Sequence, residues 1–130
     1  MSSVTLNPTK DAYIANSLPT TNTGGSSFVD AGEWKGGSGD ARRALLQFNL
    51  SPYSGYILSS AKLRVYDTGT DLATNTRTLR AYRLKRSWAE GDSSAGSGAT
   101  WNTYDGSNNW GTAGASNTTS VLRPKNWTHS

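Results

Sequence analysis

Two glutamates stand where chemistry could be done. Glu33 sits in a Gly-rich stretch and Glu90 in Trp88-Ala89-Glu90-Gly91, and a pair of carboxylates is what glycoside hydrolysis requires. Their settings argue for another role. Glu90 precedes a glycine suited to a tight turn, so its carboxylate is placed to accept backbone amide hydrogen bonds, with Trp88 and Trp101 filling the core beside it. His129, the only histidine, is the second residue from the C-terminus. Chains fray there, and no partner is visible that would make it a general base or nucleophile. No catalytic residue is assigned, and the chain is read as non-enzymatic.

Asp105-Gly106-Ser107-Asn108-Asn109 offers oxygen ligands at alternate positions, as calcium loops do, but lacks the further carboxylate that completes one. An ordinary Asp-Gly turn is the plainer reading. The expectation is therefore no cofactor, with structural calcium here as the alternative. Asp11 paired with Arg42 or Arg43 would lock the first strand to the rest of the domain, and the sequence does not select between the arginines. Asn49, Asn117 and Asn126 each begin a glycosylation triplet, but a chain this rich in Asn, Ser and Thr produces such triplets by chance.

Charge placement is more informative. From Lys62 to Arg86 seven cations (Lys62, Arg64, Arg77, Arg80, Arg83, Lys85, Arg86) face only Asp67 and Asp71, whereas the remainder of the chain has six cations and seven anions. If Lys62, Arg64 and Tyr66 share a sheet face with Arg80 and Tyr82, the result is a basic, aromatic-studded surface suited to an acidic polysaccharide or an acidic protein neighbour. The competing reading is a solvated strand face, where outward Lys and Arg are routine. Nucleic acid is disfavoured, because no helix or nucleic-acid motif accompanies the charge.

The elements that must position these residues are strands. The chain has 130 residues, a net charge of +4, no cysteine and 34% hydrophobic residues, which allows one domain and excludes disulfides, thiolate metal sites and cysteine nucleophiles. Leu, Ile, Val and Phe number only 19, and five Trp and six Tyr supply the missing apolar area. Ser, Thr, Gly and Asn make up 58 residues, a usage that interrupts helices and favours turns and short strands. Alternation predicts its clearest strand over Ala61–Tyr66, with Ala61, Leu63 and Val65 on one face. A second covers Arg43–Phe48, with Ala44, Leu46 and Phe48 on one side and Leu45 on the other, as in a central strand. Leu79–Leu84 is a third with uncertain register. Weaker strands are expected at Val4–Leu6, Ala12–Ile14, Phe28–Ala31 and around Val121–Leu122, and loops at Gly32–Asp40 and Gly91–Thr100. Short strands without helices predict an all-β antiparallel β-sandwich, jelly-roll-like. No apolar run approaches the ~20 residues of a membrane span.

Thr9-Lys10-Asp11-Ala12-Tyr13-Ile14 is followed in order by Pro19, Asn22 and Gly24, Val29 and Gly32, Arg43 to Ser51, Ser60-Ala61-Lys62-Leu63, Tyr82-Arg83-Leu84, Trp88-Ala89-Glu90-Gly91, Thr100-Trp101-Asn102 and Trp110. This set, over roughly residues 5–114, resembles the DNRLRE domain family: non-catalytic β-sandwich modules of surface and extracellular proteins, among them carbohydrate-binding modules and virion proteins. The resemblance implies that Asp11, Arg43, Trp88, Glu90 and Trp101 are structural. It also implies further strands beyond Trp110, where only 20 residues remain. The sandwich is expected to be abbreviated at its C-terminus, with a β-sandwich domain over 1–120 and a C-terminal arm or final strand over 121–130.

Two functions follow as expectations. One is a decoration or structural module of a virion or similar surface assembly, with other subunits, a homo-oligomer or capsid and tail proteins as partners and Val121, Leu122 and Trp127 as the assembly arm. The alternative is a carbohydrate-binding module for an acidic polysaccharide, using Lys62, Arg64, Tyr66, Arg80 and Tyr82. Either places the protein on a virion or extracellular surface, although Met1-Ser2-Ser3-Val4 has neither the basic nor the apolar region of a signal peptide.

Overall fold

The computed structural model describes residues 2–34, 39–66, 78–116 and 125–128. It is all-β. Strand β1 (Lys10–Ala15) pairs antiparallel with β3 (Asp40–Gln47), whose other edge carries β2 (Gly32–Trp34), giving the order β1-β3-β2. Alternation sets the faces. Ala12 lies opposite Leu45 and Ile14 opposite Arg43, so Ala12, Ile14 and Leu45 share the face that is buried. Tyr13, Ala44 and Arg42 occupy the other. β3 is thus central, as its two-sided apolar pattern predicts, with Leu45 buried and Ala44 and Leu46 half-buried.

The free edge of β1 is closed by side chains in place of a strand. The Tyr13 amide donates to Thr23 Oγ1 at 2.8 Å, and that hydroxyl donates to the Tyr13 carbonyl at 2.6 Å. The Asp11 amide donates to Glu90 Oε1 at 2.7 Å. At these two residues the bonded edge groups oppose strand addition.

The inner face of the sheet packs against irregular polypeptide. Trp88, Ala99, Trp110 and Ala115 complete the core with Ala12, Ile14 and Leu45, and Leu84, Trp101 and Tyr104 pack at its margin. The segment is rich in Gly, Ser, Asn and Asp, which favour turns over long strands. Scattered bonds hold it: the Ala99 amide to the Ala89 carbonyl at 2.7 Å, the Ala89 amide to the Tyr104 carbonyl at 2.9 Å, and buried Trp110 Nε1 to the Thr100 carbonyl at 2.9 Å. A second, two-stranded sheet pairs β4 (Thr78–Ala81) with β5 (Lys125–Thr128), placing Leu79 opposite Trp127.

Several expected elements need correction. Ala61–Tyr66 forms no strand, and Leu63, Val65 and Tyr66 are exposed. Alternation supplies a face but not a neighbour, and β4, the partner that would have joined it, is paired with β5. The shared face of Lys62, Arg64 and Tyr66 with Arg80 and Tyr82 is therefore not built by strand pairing. Val4–Leu6 and Phe28–Ala31 are also not strands, while β2 lies inside the expected loop Gly32–Asp40, its short extended run fixed by pairing with β3. Val121 and Leu122 lie outside the described residues, and Trp127 falls in β5.

Candidate functional site

The irregular layer is organised around a buried amide. Asn22 is 3% exposed. Its Nδ2 donates to the carbonyls of Glu90 (2.7 Å) and Ala99 (2.9 Å), and its Oδ1 accepts from the amides of Gly24 (3.1 Å) and Ser93 (2.9 Å) and from Ser97 Oγ (3.2 Å). A buried amide persists only when satisfied in this way. Gly91 is part of the same arrangement: its φ of +77° suits glycine, and a Cβ there would lie 2.4 Å from Asn22 Oδ1. The Asn22–Glu90 knot ties the loop after β1 to the tryptophan segment.

Trp88 is buried, with Lys10 Nζ 5.8 Å from its ring centre and donating to its carbonyl at 2.9 Å. Trp101 is half-buried under the Arg43 guanidinium, 5.0 Å from the ring centre. Arg43 also donates to the Gly114 carbonyl and to Ser116 Oγ. Neither arginine reaches Asp11, which corrects the expected ion pair. Asp11 stands opposite Leu46, while Arg42 stands opposite Ala15, four residues further along β1, about 13 Å at the strand rise. Arg43, opposite Ile14, points to the inner face and Asp11 to the outer one.

Lys62, Arg64, Tyr66, Arg80 and Tyr82 are all exposed, as are Arg83, Lys85 and Arg86. Tyr66 is 95% exposed. Among the described residues none of these six cations has a carboxylate partner, and only Arg86 engages an aromatic ring, Tyr104, at 4.4 Å. Arg77, Asp67 and Asp71 lie outside the described residues.

Asp105 turns inward on its own loop. Its Oδ1 accepts the amides of Ser107 (2.9 Å) and Asn108 (2.7 Å), and its Oδ2 accepts Asn108 Nδ2 (2.8 Å). These donors, Asn108 foremost, hold its carboxyl below the ordinary carboxylate value. Among the described residues no group of three His, Cys, Asp or Glu side chains gathers that could hold a metal ion.

A second surface was not legible in the sequence. On the outer face of the first sheet the rings of Tyr13 and Phe28 lie 6.1 Å apart, near-parallel at 17°. The Arg42 guanidinium stands 5.7 Å from the Tyr13 ring centre and binds Asp30 Oδ2 at 2.5 Å and Asp40 Oδ2 at 3.1 Å. Donation from Ser17 Oγ to Asp40 at 2.6 Å, then the bonds and charge of Arg42, hold the Asp40 carboxyl below its ordinary value. Burial works against the charge on Arg42, but the two carboxylates outweigh it and raise its pKa. Phe28 and Asp30 reach this face from a loop whose path no local pattern announces; the one available signal was an aromatic and a carboxylate close together beside turn residues.

The family model for carbohydrate-binding module family 96 matches residues 2–123. No curated protein and no solved structure matches the chain.

Proposed function

The chain belongs to carbohydrate-binding module family 96, and from that premise we propose that it is a non-catalytic module that binds an acidic polysaccharide through the exposed cations between Lys62 and Arg86. The observation that carries this reading is the state of Lys62, Arg64, Arg80, Arg83, Lys85 and Arg86, all solvent-facing and without carboxylate partners among the described residues. Cations that the protein does not neutralise attract a polyanion, and exposed Tyr66 and Tyr82 add aromatic surface for sugar rings. The family match favours this reading over decoration of a virion.

The test is affinity electrophoresis of the protein in gels containing polygalacturonate. Retardation should weaken as salt rises, because exposed charges are screened over ~8 Å at physiological ionic strength. Replacing Arg64 and Arg80 together by Ala should reduce retardation severalfold without changing the thermal midpoint. Retardation unchanged by that double substitution removes the basic stretch from the proposal.

A further inference from the structure

The outer face of the β1-β3-β2 sheet has the makings of a binding platform that uses none of those cations. Phe28 is 50% exposed and Tyr13 half-buried, their rings near-parallel. Tyr13 is held by its backbone, since both its amide and its carbonyl bond to Thr23 Oγ1. Arg42 is clamped between Asp30 and Asp40, and Asp40 is oriented in turn by Ser17. A site already fixed in this way loses little conformational freedom when it binds.

Asp30 supplies the polar function. Its Oδ2 is taken by Arg42, but among the described residues no donor reaches its Oδ1, and 23% of the side chain faces solvent. A half-exposed aromatic ring and, two residues along the same loop, a fixed carboxylate acceptor match the two surfaces of a pyranose: an apolar C–H face to lie on the ring, and hydroxyls at the rim to donate to the carboxylate.

The local charge decides which sugar. The atom left open is Asp30 Oδ1, an oxygen that only accepts while the carboxylate is ionised. A uronate or sulfated sugar brought to Asp30 would meet like charge, whereas an uncharged ring meets only acceptors. We propose that Tyr13, Phe28 and Asp30 form a second site, distinct from the basic stretch, that binds an uncharged pyranose of a neutral polysaccharide.

The experiment runs affinity gels of the whole chain containing galactomannan, hydroxyethyl cellulose or arabinoxylan, beside polygalacturonate gels, in low salt and in about 1 M NaCl, where screening acts over ~3 Å. At least one neutral polymer should retard the protein equally at both salt concentrations. Phe28→Ala should weaken that retardation by about tenfold or more, the equivalent of ~1.4 kcal/mol, and Asp30→Asn should weaken it less. Phe28→Ala should keep the parent thermal midpoint, whereas Asp30→Asn, which takes one of two carboxylates from Arg42, should lower it; both variants should keep the parent retardation by polygalacturonate, which reports an intact fold. The Arg64→Ala/Arg80→Ala variant should show the reverse pattern. Absence of retardation by all three neutral polymers, or retardation that Phe28→Ala and Asp30→Asn leave unchanged, overturns the second site while the acidic-polymer reading stands. Loss of polygalacturonate binding alone overturns that reading and leaves this one intact.

Discussion

The two basic regions of the molecule spend the same side chains differently. In the first sheet and its tryptophan layer every described cation is engaged within the chain: Lys10 with Trp88, Arg42 with Asp30 and Asp40, and Arg43 with Trp101, Gly114 and Ser116. Between Lys62 and Arg86 the described cations face solvent, next to exposed Tyr56, Ile57, Leu58, Val65 and Tyr66. Residue type therefore does not separate framework from binding surface here; what separates them is whether the chain itself satisfies the charge. Arg42 is already neutralised by two carboxylates, and Lys10 and Arg43 are held in place by carbonyls and rings. A solvated cation retains its field for an outside partner.

Truncating one large side chain in each region separates framework from solvated surface. Trp88→Ala should destabilise the fold by about 3–5 kcal/mol, the usual loss on truncating a buried large aromatic. Ile57→Ser, at a position 99% exposed, should stay within about 0.5 kcal/mol of the parent. Urea denaturation of the two variants measures both. Equal effects would mean that the exposed segment shares in the folded core and the division into two regions is wrong.

A smaller effect is expected at the polar knot. Asn22→Ala strands the Glu90 and Ala99 carbonyls and the Gly24 and Ser93 amides, and unsatisfied buried groups of this kind should lower stability by about 2–3 kcal/mol in the same denaturation experiment. Asn22→Asp retains the three contacts that Oδ1 accepts but replaces the Nδ2 donor with a second acceptor facing two carbonyls. It should therefore fall no nearer the parent than the alanine variant. A parent-like midpoint for Asn22→Ala would show that water or rearrangement satisfies the knot without it.

These sites also mark where sequence reasoning reached and where it stopped. Strands over Ala12–Ile14 and Arg43–Phe48 were readable because a short apolar run is a local signal, but alternation set Leu45 apart from Ala44, Leu46 and Phe48, and it is Leu45 that is fully buried. The equally regular Ala61–Tyr66 misled, since pairing is decided by distant segments: β4 took β5, 44 to 50 residues along the chain, as its partner. β2 has too few residues to carry a period and exists through its ladder with β3. Gly91 after Glu90 marks a turn, but the amide that this carboxylate accepts belongs to Asp11, 79 residues away. Asn22 was legible only as one residue of the ordered motif set and gave no sign of burial, because a polar residue in a Thr- and Gly-rich loop looks solvated until its five partners are seen around it. The pairing of Phe28 with Tyr13 depends likewise on the path of the intervening loop, which composition leaves open.

The smallest effect expected is electrostatic and lies on the outer sheet face. The Asp40 carboxyl is held below its ordinary value of 3.8, first by the Ser17 hydroxyl and then by Arg42. A carboxylate with a lower pKa folded than unfolded stabilises the fold above its unfolded pKa and loses that contribution as pH falls through the folded one. Stability should therefore be flat with respect to Asp40 from neutral pH down to about pH 5 and should decline only below about pH 4. Asp92, held below its ordinary value by Ser94, and Asp105, held down by Asn108, act in the same direction and the same range, so the acid limb of the whole protein is a sum of several carboxylates. The Asp40 share is isolated by Ser17→Ala, which removes the largest cause of its shift and nothing from the other two. An NMR titration of the Asp40 carboxyl carbon should then show its midpoint move upward in the variant while those of Asp92 and Asp105 stay where they are. An Asp40 midpoint at or above the ordinary value in the parent protein would mean that the Ser17–Asp40–Arg42 chain is not formed in solution, and the outer face would lose the rigidity that sets it apart from the solvated stretch.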